Sequence, residues 1–249
     1  MKKKIKELFE YRQLPYLMEL AGIKGRKKLT KKLSNLQIAI YYLDAYLESN
    51  WKIDKSEIKK LWKAIHKEML NCGIKKSKLG EYSEDIEKYQ AHELGLRKKK
   101  SPLDLSMKNF YHYKSCDVRL LRQIIYDRTP GLEKIFKTSD WKFFDLITEV
   151  NDDVEDINED LKTINGNLFL ISWALEGRSK SKKRFEKFIK EIEKESKARK
   201  NKTKSIGYNT IHEWTMEQTS ATKKLLKQKL GSLKDKEIES AVLIGLWRE

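Results

Sequence analysis

Six carboxylates crowd into ten positions, Asn151-Asp152-Asp153-Val154-Glu155-Asp156-Ile157-Asn158-Glu159-Asp160, in a chain whose net charge is +17. On a helix Asp152, Asp156 and Glu159 fall at i, i+4 and i+7, so they share one face. Like charges placed this way repel one another, and a divalent cation relieves the repulsion. Hard oxygen donors suit Mg²⁺, which commonly takes one or two carboxylates and leaves the rest of its shell to water and substrate phosphates. With Asp153 beside them, these residues form the first candidate metal site. Phe143, Ile147, Val150, Val154, Ile157 and Leu161 line the opposite face. A solvated acidic stripe on an amphipathic surface helix would give the same pattern.

A second acidic pair lies on residues 36–48, a stretch that is apolar nearly all round. Such a helix is predicted to be buried on all sides. Asp44 and Glu48 sit on it at i and i+4, next to Ile40, Tyr41, Leu47 and Trp51. Buried carboxylates are costly unless they are paired or bind metal. A metal, a Lys or Arg from a neighbouring element, or an exposed helix end would each accommodate them. Between the acidic segments, Lys114, Arg119 and Arg122 form a basic group suited to phosphate oxygens. A basic surface edge would look alike.

The elements that must position these groups are helical. Three prolines and 11 glycines leave long uninterrupted stretches, and apolar residues recur at helical spacing almost throughout. Helices are expected at about 5–22, 34–50, 54–73, 82–95, 104–127, 139–164 and 167–176. Asp54 or Ser56 caps the third, and Ser139 or Asp140 the sixth. Residues 180–204 are expected as a helix fraying into a solvated loop, and two amphipathic helices follow at about 208–230 and 234–247. The fold class is therefore all-α: one domain over 1–249, with a core at about 5–176 and C-terminal helices over 180–249. Cys72 and Cys116 are too few for a disulfide framework and read as reduced thiols of a cytoplasmic protein. Acids and an arginine interrupt any leader-like apolar run at the N-terminus. No apolar stretch approaches the about 20 residues of a membrane span, so no stable membrane insertion is expected.

Two acid-bearing helices with a basic helix between them resemble the class I isoprenoid synthase superfamily, which includes trans-prenyltransferases, squalene and phytoene synthases and terpene synthases. Asp152-Asp153-Val154-Glu155-Asp156 matches the DDxxD pattern. The same stretch overlays the terpene-synthase Asn/Ser/Glu pattern from Asn151 to Glu159, with Glu155 where that pattern wants Ser or Thr. Asp44-Ala45-Tyr46-Leu47-Glu48 looks like a reduced DxxxD motif, and Lys114-Ser115 resembles the Lys-Thr pair of prenyltransferases. The resemblance covers residues 20–175, with a shorter interval between the acidic motifs than is usual. It implies a helical bundle in which Asp44, Glu48, Asp152, Asp153, Asp156 and Glu159 hold Mg²⁺. It further implies that Lys114, Arg119 and Arg122 bind a prenyl diphosphate substrate, and that Asp152 and Asp156 serve its ionisation. Tyr41, Tyr42, Tyr46, Trp51 and Trp173 are candidates for an aromatic cavity wall. A homodimer is compatible with this reading.

The strong positive balance supports a rival from another class, a basic helical nucleic-acid-binding protein using the Lys-rich stretches 24–32, 97–100 and 180–204. A catalytically inactive helical scaffold is the third alternative.

Overall fold

The computed structural model describes residues 2–203 and 205–249. It is 81% helical with no strand among the described residues, which establishes the all-α class. In chain order the helices are α1 (Lys2–Tyr11), α2 (Leu14–Leu20), α3 (Arg26–Ser49), α4 (Lys55–Asn71), α5 (Leu79–Leu96), α6 (Met107–Lys114) and α7 (Cys116–Arg128). They continue with α8 (Lys142–Glu155), α9 (Ile157–Asp160), α10 (Leu168–Glu176), α11 (Arg178–Lys202), α12 (Tyr208–Ser232), α13 (Asp235–Glu239) and α14 (Val242–Arg248). Among the described residues no helix is long and apolar enough to cross a membrane.

By packing, the chain divides into two compact units: Met1–Tyr89 with Cys116–Thr138, and Gln90–Ser115 with Ser139–Glu249. In the first unit α3 packs along α4, and Lys32 near the start of α3 donates to the Asn71 carbonyl at the end of α4, so the two run antiparallel. Asp54 caps α4 as its sequence suggests, accepting the Ser56 N–H at 2.7 Å. Gly73 follows this helix with φ +93°, a conformation that glycine adopts at little cost. Helix α7 contributes Asp117, which accepts a 2.6 Å hydrogen bond from the fully buried Gln37 of α3.

In the second unit α8 packs against α6, α10, α11 and α12. All but Lys142, Asp152 and Glu155 of its 14 residues are buried, so it is the centre of this unit. Phe143, Ile147, Val150 and Val154 join Phe169, Trp173, Phe185 and Ile189 in one apolar cluster.

Several expected elements are corrected. The helix expected over 104–127 is broken at Ser115 into α6 and α7. The helix expected through 164 stops at Glu155; Asp156 (φ −84°, ψ 1°) ends α8 and opens the short α9. The residue at the N-cap position of α8 is Trp141, with no side-chain cap hydrogen bond, and the fully buried Asp140 carboxylate just before it is held by Arg199 and the Ser205 hydroxyl. Residues 178–202 do not fray but form one 25-residue helix, because Phe185, Phe188, Ile189 and Ile192 bury one side of it.

Candidate functional site: a divided acidic segment on helix α8

The two neighbouring aspartates of the acidic segment have opposite surroundings. Asp153 is fully buried. One carboxylate oxygen takes the Lys114 ammonium. The other accepts the Tyr111 hydroxyl at 2.9 Å and the Leu168 backbone N–H at 2.8 Å. Three donors from two chain segments, α6 and the start of α10, thus satisfy one carboxylate, as a buried charge requires. Tyr111 and Lys114 reach it together because they stand three residues apart on α6.

Asn167 ties the same region to α10. Its amide NH₂ donates to the Asp153 carbonyl and to Asp160 Oδ2, both at 2.7 Å, while its Oδ1 accepts the Leu170 N–H at 2.9 Å as the helix cap. Just before it, Gly166 passes so close to Glu93 that a Cβ there would lie 2.5 Å from the Glu93 carboxylate. A side chain there would oblige the Glu93 carboxylate to shift.

The cluster is strongly anionic around one cation. Asp145 and Glu149, two turns and one turn before Asp153 on α8, are 3% and 4% exposed. Burial opposes the charge on Lys114, but the carboxylates of Asp153, Glu149 and Asp160 outweigh it and hold its pKa above the usual lysine value. Burial, together with Asp153, likewise holds the Tyr111 hydroxyl well above the ordinary tyrosine value, so it stays a donor.

Asp152 is half-buried, and Asp156 and Glu159 are exposed. The Asp156 N–H donates to the Asp152 carbonyl at 2.9 Å, which sets the two residues one turn apart. Lys229 of α12 donates to the Glu155 carbonyl at 2.8 Å and so caps the C-terminal end of α8. Among the described residues no three His, Cys, Asp or Glu side chains converge closely enough to hold a metal by themselves.

Asp44, Glu48, Arg119 and Arg122 lie in the first unit, and Lys114 and the α8 acids in the second. Helix α3 is not buried on all sides: Tyr42 is 53% exposed, Ala45 is exposed, and Asp44 and Glu48 are half-buried. The premise of a costly buried pair on this helix is therefore corrected. Its tyrosines are ambivalent side chains that tolerate solvent at the hydroxyl end. Arg119 pairs with Asp85 at 2.8 Å, and Arg122 is buried. Trp173 is a core residue, packed on Phe169 and donating its indole N–H to Asp235 at 2.7 Å. The Tyr46 hydroxyl accepts the Asp54 N–H at 2.9 Å.

The second unit also holds a partly open pocket of about 320 Å³ lined by His92, Glu93, Lys100, Leu105 and Phe110, among others; none of the α8 acids lines it. No family model, curated protein or solved structure matches the chain.

Sequence reasoning missed Tyr111, Glu149, Asp160 and Asn167 as members of the cluster. Asn167 carried a usable signal, an Asn directly before an apolar helical run. Tyr111 and Lys114 carried another, a polar pair at i, i+3.

Proposed function

We propose that the protein is a Mg²⁺-dependent enzyme of the isoprenoid-synthase type that ionises a prenyl diphosphate, as a terpene synthase or a prenyltransferase. One observation supports this reading: the acidic segment gives its carboxylates two different tasks. Asp153 is locked into the core by Lys114, Tyr111 and the Leu168 N–H. That lock fixes the end of α8 from which Asp152 and Asp156 reach solvent. Rigid backing of a pair of accessible carboxylates is what a preorganised ligand set needs.

In this reading Asp152 and Asp156 hold the Mg²⁺, with Glu159 beside them. Bound there, the ion supplies Lewis acidity at the departing diphosphate. Asp152 and Asp156 bind and orient. Asp153, Asn167 and Tyr111 keep the helix end in place. Lys114 is a positioning residue here, because Asp153 already engages its ammonium.

The test is release of pyrophosphate from geranyl, farnesyl or geranylgeranyl diphosphate with Mg²⁺. Asp152→Ala and Asp156→Ala should each lower turnover by about 100-fold or more, the scale of losing one preorganised charge-stabilising group. Both variants should keep the wild-type circular dichroism spectrum. Pyrophosphate with Mg²⁺ should raise the wild-type melting temperature by mass action and leave that of Asp152→Ala unmoved. No release from any of the three substrates, or release untouched by both substitutions, would overturn the proposal.

A further inference from the structure

Helix α11 carries Lys180, Lys183, Lys187, Lys190, Lys194 and Lys197, separated alternately by three and four residues, and all six are exposed. That spacing sets them in one row along the helix, about 25 Å long at 1.5 Å per residue. The buried side of α11, formed by Phe185, Phe188, Ile189 and Ile192, lies opposite on the helical wheel, so the row faces away from the core of its unit. Among the described residues none of the six is ion-paired. The nearby acids are engaged by other cations: Glu186 by Lys182, Glu193 by Lys223 and Glu195 by Lys108. Glu191 is exposed at the edge of the row and offsets only part of its charge.

Unpaired like charges in a row favour a polyanionic partner, and the row's composition selects among such partners. Both aromatics of α11, Phe185 and Phe188, are buried, so the row offers no ring for nucleobases to stack on. It holds only lysines, without the arginine fork that reads base edges. Large aliphatic side chains are exposed just beyond both ends of the helix, Leu175 at 51% and Ile206 at 78%. A bilayer interface accommodates lysine stems, lysine charges and exposed aliphatics together. We infer that α11 docks the protein on an anionic lipid bilayer, with its lysine row against the headgroups. This inference is independent of the proposed catalytic site.

Full-length protein would be sedimented with phosphatidylcholine vesicles made with and without phosphatidylserine. Binding is expected to the phosphatidylserine vesicles alone and to weaken steeply as salt rises. Each lysine near such a surface contributes about fivefold to partitioning. The triple variant Lys187→Gln, Lys190→Gln, Lys194→Gln should therefore bind about 100-fold more weakly, with unchanged circular dichroism. Failure of wild type to sediment with phosphatidylserine vesicles would overturn the inference, as would binding that the triple variant retains. So would retention of single- or double-stranded oligonucleotides, lost in the triple variant, by a protein that ignores the vesicles.

Discussion

Helices α3 and α8 both carry carboxylates four residues apart, and they hold them in opposite ways. On α8 the side chains of Asp145, Glu149 and Asp153 stand in line inside the core. On α3, Asp44 and Glu48 stand half-buried on a helix whose Tyr42 and Ala45 face solvent. The donors around Asp153 are what its burial requires. Asp153 has an ammonium, a hydroxyl and a backbone N–H supplied by α6 and the start of α10. Net burial of a charge is tolerated only where distant segments deliver such a set. A buried carboxylate is therefore a statement about its neighbours more than about its own helix.

The largest test of this contrast removes the cation. Lys114→Met leaves Asp153 buried beside Glu149 and Asp160 without its counter-charge, and should cost ~3–5 kcal/mol in urea unfolding. Adding Asp153→Asn to that variant should recover much of the loss, since the stranded charge goes with it. If Lys114→Met costs less than 1 kcal/mol, on the order of a surface pair, Asp153 is not the hub described here.

Next in size is the alkaline limb of stability. Lys114 is raised from 10.5 and Tyr111 from 10.0 in the folded protein. The folded state thus keeps protons that the unfolded chain releases at about pH 10 and above. With fewer protons bound by the unfolded chain, the stabilisation is fully present below those unfolded values and is lost as pH rises through the folded ones. Stability should fall with pH above about 10, and less steeply in Tyr111→Phe, which has one such group fewer. Equal slopes in the two proteins would contradict the assigned shift.

Asn167→Ala should come third. It removes the α10 cap and leaves the Asp160 carboxylate and the Asp153 carbonyl each short of a donor, for roughly 2–3 kcal/mol in all. Asn167→Asp keeps the cap but sets a third carboxylate against Asp153 and Asp160. It should lose more of its stability at neutral than at acidic pH.

Much of this fold was legible in the sequence, and the misses share a cause. Helix spacing, the Asp54 cap and the stop near Gly73 depend on local chemistry, and they stand in the structure. Burial depends on partners. Residues 36–48 read as an all-round core helix because Tyr41, Tyr42 and Tyr46 count as apolar, yet tyrosine sits readily at a surface. Residues 139–164 read as one helix with its acids on an accessible face, for metal or for solvent, yet Tyr111, Lys114 and Asn167 draw Asp153 and its neighbours inward. The Lys-rich stretch 180–204 hid its buried side for a related reason. Four large apolar residues in eight positions, Phe185 to Ile192, sufficed to seat a helix whose average composition looked solvated.

The smallest expected effect completes the contrast between α3 and α8. Asp44→Ala removes a carboxylate that is half-buried and still reached by water, which contributes to its solvation in either state and screens any ion pair it makes. Its loss should change stability by about 1 kcal/mol or less, measured in urea alongside Lys114→Met under one set of conditions. Glu48→Ala should behave alike, since it lies one turn further along the same half-buried edge. A cost of several kcal/mol for either would mean that α3 holds its acids as α8 does, with a donor set that makes them part of the core. Turnover assayed on the same two variants adds an independent reading. The isoprenoid-synthase resemblance implies that Asp44 and Glu48 serve Mg²⁺, and only a catalytic role predicts a large loss of pyrophosphate release from a substitution that barely moves the unfolding midpoint.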